Sequence, residues 1–257
     1  KEEFYIAEKI GLQEIEWIFD YDRYTDNPIW TAGGRKELAK TIHDTNVRVN
    51  SICFDYFMRR PFYKFNGGDR ERIYSENLDI TYRVVDALAE IGGRLIEIPM
   101  VDDSSLKTDD EKTLAAGYIE KTASYAEKMG IKVGLETDLA PVIFTDFLKG
   151  ISPNYIYANF DSGNSSGIGY NPNEEIPALG CRIYNVHIKD RIYHGTTVAL
   201  GTGSADFEGV FSNLKRIGYL NSFILQAARG DEGDEVNNIK KQLEFVRKYV
   251  DKFQIGV

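Results

Sequence analysis

Two cysteines and three histidines in 257 residues leave little material for several familiar chemistries. Cys53 and Cys181 have no CxxC spacing, which rules out a disulfide framework or a cysteine-rich metal site. Both lie in apolar stretches and are expected to be buried free thiols, in keeping with a reducing, cytoplasmic setting. No apolar run approaches the length of a membrane span, and the N-terminus lacks a signal peptide's basic-then-apolar layout. Positive charge is also short. With 31 Lys and Arg against 40 Asp and Glu, the net charge is -9. Nucleic acid is therefore not expected as a partner, because phosphate neutralisation needs a basic face. A small anion held by a few local cations is still compatible with that balance. No Pro/Gly/Ser-rich linker divides the chain, so residues 1–257 read as a single domain.

What the chain does have is a repeated sentence. AEKIGLQEIEWIF begins at Ala7, LAEIGGRLIEIPM at Leu88, AEKMGIKVGLETD at Ala126 and LKRIGYLNSFILQ at Leu214, with PALGCRIYNVHIKD from Pro177 as a looser copy. Each is a charged helical turn, a glycine, and a run rich in Ile, Leu and Val. Glycine suits the left-handed residue that closes a helix. The apolar run after it is long enough for a strand and too short for a helix. Strands are expected at 15–19, 47–54, 94–100, 132–138, 155–161, 183–189 and 222–228. Helical patterns fall between them, and DEVNNIKKQLEFVRKYVDKF closes the chain as an amphipathic helix. Strands alternating with helices imply a parallel sheet. At this length the expected fold is α/β, a (β/α)8 TIM barrel. Seven strands are counted and the chain opens on a helix, so the first barrel strand is expected to be missing ahead of Lys1.

Active sites in such barrels lie at the carboxyl ends of the strands. The last polar residues of the expected strands are Glu16, Asp55, Glu97, Glu136, Asp161, His187 and Gln226. Four consecutive strands supply Glu136, Asp161, His187 and Gln226. Polar groups facing a barrel interior are costly unless something satisfies them. Two carboxylates, an imidazole and an amide oxygen suit one divalent metal ion, with Mn²⁺, Mg²⁺ or Co²⁺ favoured by the hard oxygens and Zn²⁺ also accommodated. Taken singly, a strand-end histidine such as His187 is more often a hydrogen-bonded structural residue, and Glu136 reads as a salt-bridge partner of Lys132 or Lys189. The metal reading rests on their convergence.

GLETD, NFDSGN, NVHIKD and GTGSADFEGVFSNLKRIGY occur in an order that resembles the sugar phosphate isomerase/epimerase family, the xylose isomerase-like TIM barrels that include ketose 3-epimerases. The resemblance runs from FYIAEKIGLQEIEW to the last helix. It implies metal ligands at Glu136, Asp161, His187 and position 226, with glutamates at the first and last of these acting as paired bases. It also implies a homodimer or tetramer. Position 226 is Gln here, in FILQAARG. An amide oxygen ligates a metal but does not accept a proton near neutral pH. Either Glu136 then works alone or another carboxylate joins it, with Glu97 and Glu16 nearest by strand position and Asp102 and Asp103 just beyond.

The implied chemistry is proton removal beside a carbonyl through a metal-stabilised enediolate, manganese being one suitable metal. Return of the proton to the neighbouring carbon isomerises, and return to the other face epimerises. Loss of the second glutamate tilts the reading toward isomerisation. The substrate is expected to be a small sugar or sugar phosphate. Lys189, Arg191 and Arg229 are candidates for its hydroxyls or phosphate, or are solvated surface cations. Glu16 and Asn164 are further substrate-binding candidates, Asn164 alternatively steadying its turn. GTGSAD (201–206) reads as a phosphate cradle or, preferably, as a turn into a helix from Phe207. The aromatic run Phe54, Tyr56, Phe57, Phe62, Tyr63 and Phe65, with Trp17 and Trp30, reads equally as a lid or as ordinary packing. Three rivals stand beside this: a polyol-ketone dehydratase of the same fold, a catalytically impaired sugar-binding barrel, and an abasic-site endonuclease. The last needs more histidines and a basic face than this chain has.

Overall fold

The computed structural model describes residues 1–151 and 155–256. Its helix–glycine–strand repeats form as their composition dictates. After the first helix, Gly11 takes φ 83° and its N–H closes the last turn onto Ala7 and Glu8. Gly130 does the same work at φ 70° before the fourth strand. Both angles lie in the left-handed region where a side chain is strained. Seven strands form one sheet in sequential order, and every described pairing in it is parallel. The expected strand positions agree with the observed ones to within a residue or two, except that the last strand is shorter.

The chain packs as two compact units. One comprises Lys1–Thr137 with Phe147–Tyr157, and the other 138–146 with Ala158–Val257. The first holds α1 (Glu2–Ile10), β1 (Glu14–Ile18), α2 (Ala32–Thr45), β2 (Arg48–Cys53), α3 (Tyr56–Arg59), α4 (Gly67–Glu90), β3 (Leu95–Met100), α5 (Asp109–Ala126) and β4 (Lys132–Thr137). Thr108 starts α5 with a reciprocal cap: its hydroxyl accepts from Glu111 N at 3.1 Å, while the Glu111 carboxylate accepts from Thr108 N at 3.0 Å. All six residues of β3 are buried, as expected for a strand covered on both faces. The aromatic run after β2 is packing and not a lid. Phe57, Phe62 and Tyr63 are at most 3% exposed and crowd Tyr118 of α5 or one another. The rings that would have to open are the core of this unit.

Helix α6 (Pro141–Gly150) and strand β5 (Ile156–Asp161) run through both units. The second unit continues with α7 (Ser162–Gly167), α8 (Pro172–Leu179), β6 (Ile183–Ile188), the short antiparallel hairpin β7 (Asp190–Arg191) and β8 (Thr197–Val198), α9 (Phe207–Arg216), β9 (Phe223–Leu225) and α10 (Glu235–Phe253). Its core joins α9 to α10. Phe211 stacks on Tyr249 at 5.1 Å between ring centres, and Phe207 meets Phe245 edge-on at 4.9 Å. Truncating a fully buried ring such as Phe211 to Ala would cost roughly 3–5 kcal/mol. Cys53 is buried as expected, but Cys181 is exposed, because it lies in the tight turn ahead of β6 and not in the strand.

Candidate functional site

Asp161 ends β5 and pairs in register with His187 of β6. Partners in a parallel pair point to the same face, so the carboxylate and the imidazole stand side by side. Both are buried, and His187 Nδ1 lies 3.9 Å from Asp161 Oδ2. Asp161 is also the N-cap of α7. Its Oδ1 accepts from the backbone N–H groups of Gly163 and Asn164, each at 2.8 Å. The helix start therefore orients the second oxygen toward the histidine. Asn159, two residues earlier on the same face of β5, places its side-chain amide nitrogen 3.2 Å from His187 Nδ1. On the next strand Ile224 is level with His187, which puts Gln226 on that face one step further along. Its backbone N–H donates to Ile188 O at 3.1 Å. Gln226 Oε1 is buried with no hydrogen-bond partner among the described residues. A buried amide oxygen in that condition wants a donor or a cation.

Two cations follow His187. The Lys189 ammonium donates to Asp161 Oδ2 at 3.0 Å and to Asn164 Oδ1 at 3.3 Å. Arg191 donates from Nη1 to the same Asn164 oxygen at 3.0 Å, and from Nε and Nη2 to Gly195 O at 3.3 and 3.1 Å. Each stem crosses α7 over a glycine, Lys189 at Gly163 and Arg191 at Gly167. The four-residue spacing of these glycines sets both on one helical face. Asn164 thus serves as the shared acceptor of two cations, beyond steadying its turn. Arg229 is not gathered in. Its side chain is exposed, and its backbone carbonyl is held by Asn238 Nδ2 at 2.7 Å.

The glycine loop 201–205 holds an anion from its own chain. Asp190 Oδ2 accepts from Gly201 N at 2.9 Å and Gly203 N at 2.8 Å, and Oδ1 from Ala205 N at 3.0 Å. The N–H groups that would have cradled a phosphate converge instead on this buried carboxylate. The turn then feeds α9 at Phe207, with Asp206 as its cap.

In the other unit, Glu136 lies one residue before the end of β4 and is 5% exposed. It pairs with Pro99 of β3, and Gly134 pairs with Glu97, so the two glutamates share a face with Glu97 two residues nearer the strand start. Glu97 is fully buried. Cys53 is level with it on β2. Burial pushes the Cys53 thiol well up, and the charges of Glu97, Glu16 and Asp55 add to that. Glu16 accepts from Ser51 Oγ at 2.7 Å. Asp102 and Asp103 are exposed on a turn after β3 and are not strand-end groups.

Several contributors were not singled out from sequence: Asn159, Gly163, Gly167, Asp190 and the buried Glu175. The glycines had a signal, since two of them four apart directly after a strand-end Asp leave one helical face bare. Glu175, in α8, hydrogen-bonds Ser165 of α7, and burial raises its carboxyl to about 7, with Asp161 adding a smaller push.

A family model described as xylose isomerase-like TIM barrel matches residues 4–249. The chain is 23% identical over 264 residues to L-ribulose-5-phosphate 3-epimerase UlaE of Escherichia coli (strain SMS-3-5 / SECEC), a match that covers 96% of this chain and 88% of that protein. Among solved structures, D-psicose 3-epimerase with D-tagatose from Clostridium cellulolyticum H10 superposes with a TM-score of 0.78 at 14% identity, covering 97% of this chain and 93% of that one. The IolI protein with a bound zinc atom superposes with a TM-score of 0.77 at 18% identity, covering 95% and 91%.

Proposed function

Because the chain belongs to the xylose isomerase-like TIM barrel family, we propose that it is an isomerase-class enzyme that moves a proton beside the carbonyl of a small sugar or sugar phosphate. The observation that carries this reading is the buried Asp161–His187 pair, 3.9 Å apart at the carboxyl ends of adjacent strands. A carboxylate oxygen and an imidazole nitrogen at that separation suit one divalent ion. Glu136, Asp161 and His187 are each buried, and each carries an oxygen or nitrogen donor of metal-binding type. The buried Gln226 Oε1 supplies a fourth oxygen donor on the strand beyond His187. Mn²⁺, Mg²⁺ and Co²⁺ fit this mainly hard donor set, and the zinc in the IolI protein keeps Zn²⁺ among the choices. When bound, such an ion supplies Lewis acidity toward a substrate's carbonyl oxygen.

Glu136 is the base that removes the proton. Gln226 orients and ligates, and does not exchange protons. A single base that returns the proton to the adjacent carbon performs isomerisation, which this chain supports without a second carboxylate. Epimerisation needs an acid on the opposite side of the substrate, and the buried Glu97 of β3 is a candidate for that second role. Lys189 and Arg191 give the site an anion-binding character that favours a sugar phosphate, as in the name of the UlaE relative. Asn164 positions both cations, and Glu16 is a candidate for substrate hydroxyls. No helix among the described residues is long and apolar enough to cross a membrane.

The test is exchange of carbon-bound hydrogen with D₂O, followed by NMR on L-ribulose 5-phosphate and on free ketoses with Mn²⁺ present. Metal-dependent exchange supports the enzyme. Metal and sugar binding without exchange in any substrate would make it a binding barrel. Loss of water from the substrate would make it a dehydratase.

A further inference from the structure

Asp161 has one oxygen committed to the backbone of α7 and one turned outward. Oδ1 takes two N–H bonds, while Oδ2 meets Lys189 Nζ at 3.0 Å and stands 3.9 Å from His187 Nδ1. The oxygen that would ligate a metal is therefore the one that Lys189 already neutralises. The Asp161 side chain is only 1% exposed, so its charge needs a compensating cation at all times. Lys189 is well built to give that cation up. Its stem is seated over Gly163, where a β-carbon would lie 2.5–2.8 Å from Lys189 Cβ, Cγ and Cδ. Beyond that anchor the ammonium has a second acceptor at hand, Asn164 Oδ1 at 3.3 Å, which Arg191 shares at 3.0 Å.

We propose that Lys189 is a displaceable counter-ion of Asp161, so that a divalent cation arriving at Asp161 releases the ammonium toward Asn164 and Arg191 and thereby completes a site for a phosphate dianion. This deepens the reading given under Proposed function and rests on its metal site. The charges support it. Asp190 is not available to balance the pair, because its carboxylate is engaged by three backbone N–H groups of the 201–205 loop. With Asp161 neutralised by a metal, Lys189 and Arg191 both donate to the uncharged Asn164 oxygen, and a tetrahedral dianion with several oxygens suits both. Metal and anion binding are then thermodynamically coupled. Each must tighten the other by the same factor.

Calorimetric titration of the full chain tests this with two probes, Mn²⁺ and inorganic phosphate, after subtraction of their direct complexation in buffer. In the wild type, phosphate should tighten Mn²⁺ binding roughly tenfold, and Mn²⁺ should tighten phosphate binding equally. Lys189→Met keeps the stem and removes the charge. It should bind Mn²⁺ alone roughly tenfold more tightly than the wild type, since the competing cation is gone, and should lose the coupling. Lys189→Arg should retain coupling. A wild type in which phosphate leaves Mn²⁺ affinity unchanged overturns the proposal without recourse to any variant. So does a Lys189→Met chain with unchanged or weaker Mn²⁺ binding, or with its coupling intact. If the wild type binds no more Mn²⁺ than Asp161→Asn does, the metal site itself falls, and the counter-ion role falls with it. Mn²⁺ binding that depends on Asp161 but ignores Lys189 removes only the counter-ion role.

Discussion

The stem of Lys189 fills the space that a β-carbon on residue 163 would need, with its own γ-carbon 2.5 Å from that position. Gly163→Ala therefore forces the part of the side chain nearest the backbone to move, not its flexible tip. Helix propensity favours the alanine slightly, but the clash outweighs it. Urea unfolding should show a loss of roughly 1–3 kcal/mol. The Lys189–Asp161 contact should be lost as well, so Mn²⁺ affinity should change in the direction expected for Lys189→Met. A variant as stable as the wild type would contradict the packing described.

Glu136→Gln removes the proposed base and keeps the shape. Exchange with D₂O should fall by at least about a thousandfold, within the range general-base removal commonly gives, while circular dichroism stays unchanged. Glu97→Gln separates the two reactions. It should spare isomerisation and abolish any epimerisation, as read from product stereochemistry by NMR.

Gln226→Glu places a carboxylate just past the strand beyond His187. The added charge should tighten Mn²⁺ binding roughly tenfold in calorimetry. It should also raise the share of epimerised product, because a group able to carry a proton then stands at position 226. Unchanged product distribution would mean that residue 226 does not face the reacting carbon.

Glu175 sets a pH dependence of unusual sign. Burial raises its carboxyl to about 7 against an ordinary value near 4.5, so the folded chain holds the proton more tightly than the unfolded one. Its contribution to stability is complete below the unfolded value and is lost as pH rises through about 7. At 1.36 kcal/mol per unit, the span is about 3 kcal/mol. Denaturant midpoints measured from pH 4 to 8 should show a decline across that window that Glu175→Gln removes.

Asp190→Ala should leave the N–H groups of Gly201, Gly203 and Ala205 without their acceptor. A cost of roughly 2–4 kcal/mol is expected, at the upper end for a buried charged hydrogen-bond hub. Amide hydrogen exchange should quicken in 201–205 and leave α10 little changed.

Strands were legible in the sequence because each carries its own start signal. A left-handed glycine such as Gly11 or Gly130 ends the helix, and the β-branched run after it has nowhere else to go. The Asp161–His187 pairing was legible because strand-end polar residues in an otherwise apolar run are costly. The β7–β8 hairpin was not, since two-residue strands are too short to show alternation. Nor was the fate of the aromatic run, which depends on Tyr118, a residue more than fifty positions away that only folding brings alongside. The Asp190 loop had the right glycines but concealed their occupant, because a carboxylate beside a cation-rich segment reads equally well as a surface charge.

Asp161 opens a helix with one oxygen and faces His187 with the other. If the proposed metal site is occupied, exchange of donors has no latitude there: a residue lacking that first oxygen would leave the N–H groups of Gly163 and Asn164 without this acceptor. Latitude exists at 226, where the side-chain oxygen has no hydrogen-bond partner among the described residues. On the proposed metal site, changes of metal preference among chains built on this plan should accordingly fall at the far strand and spare the aspartate.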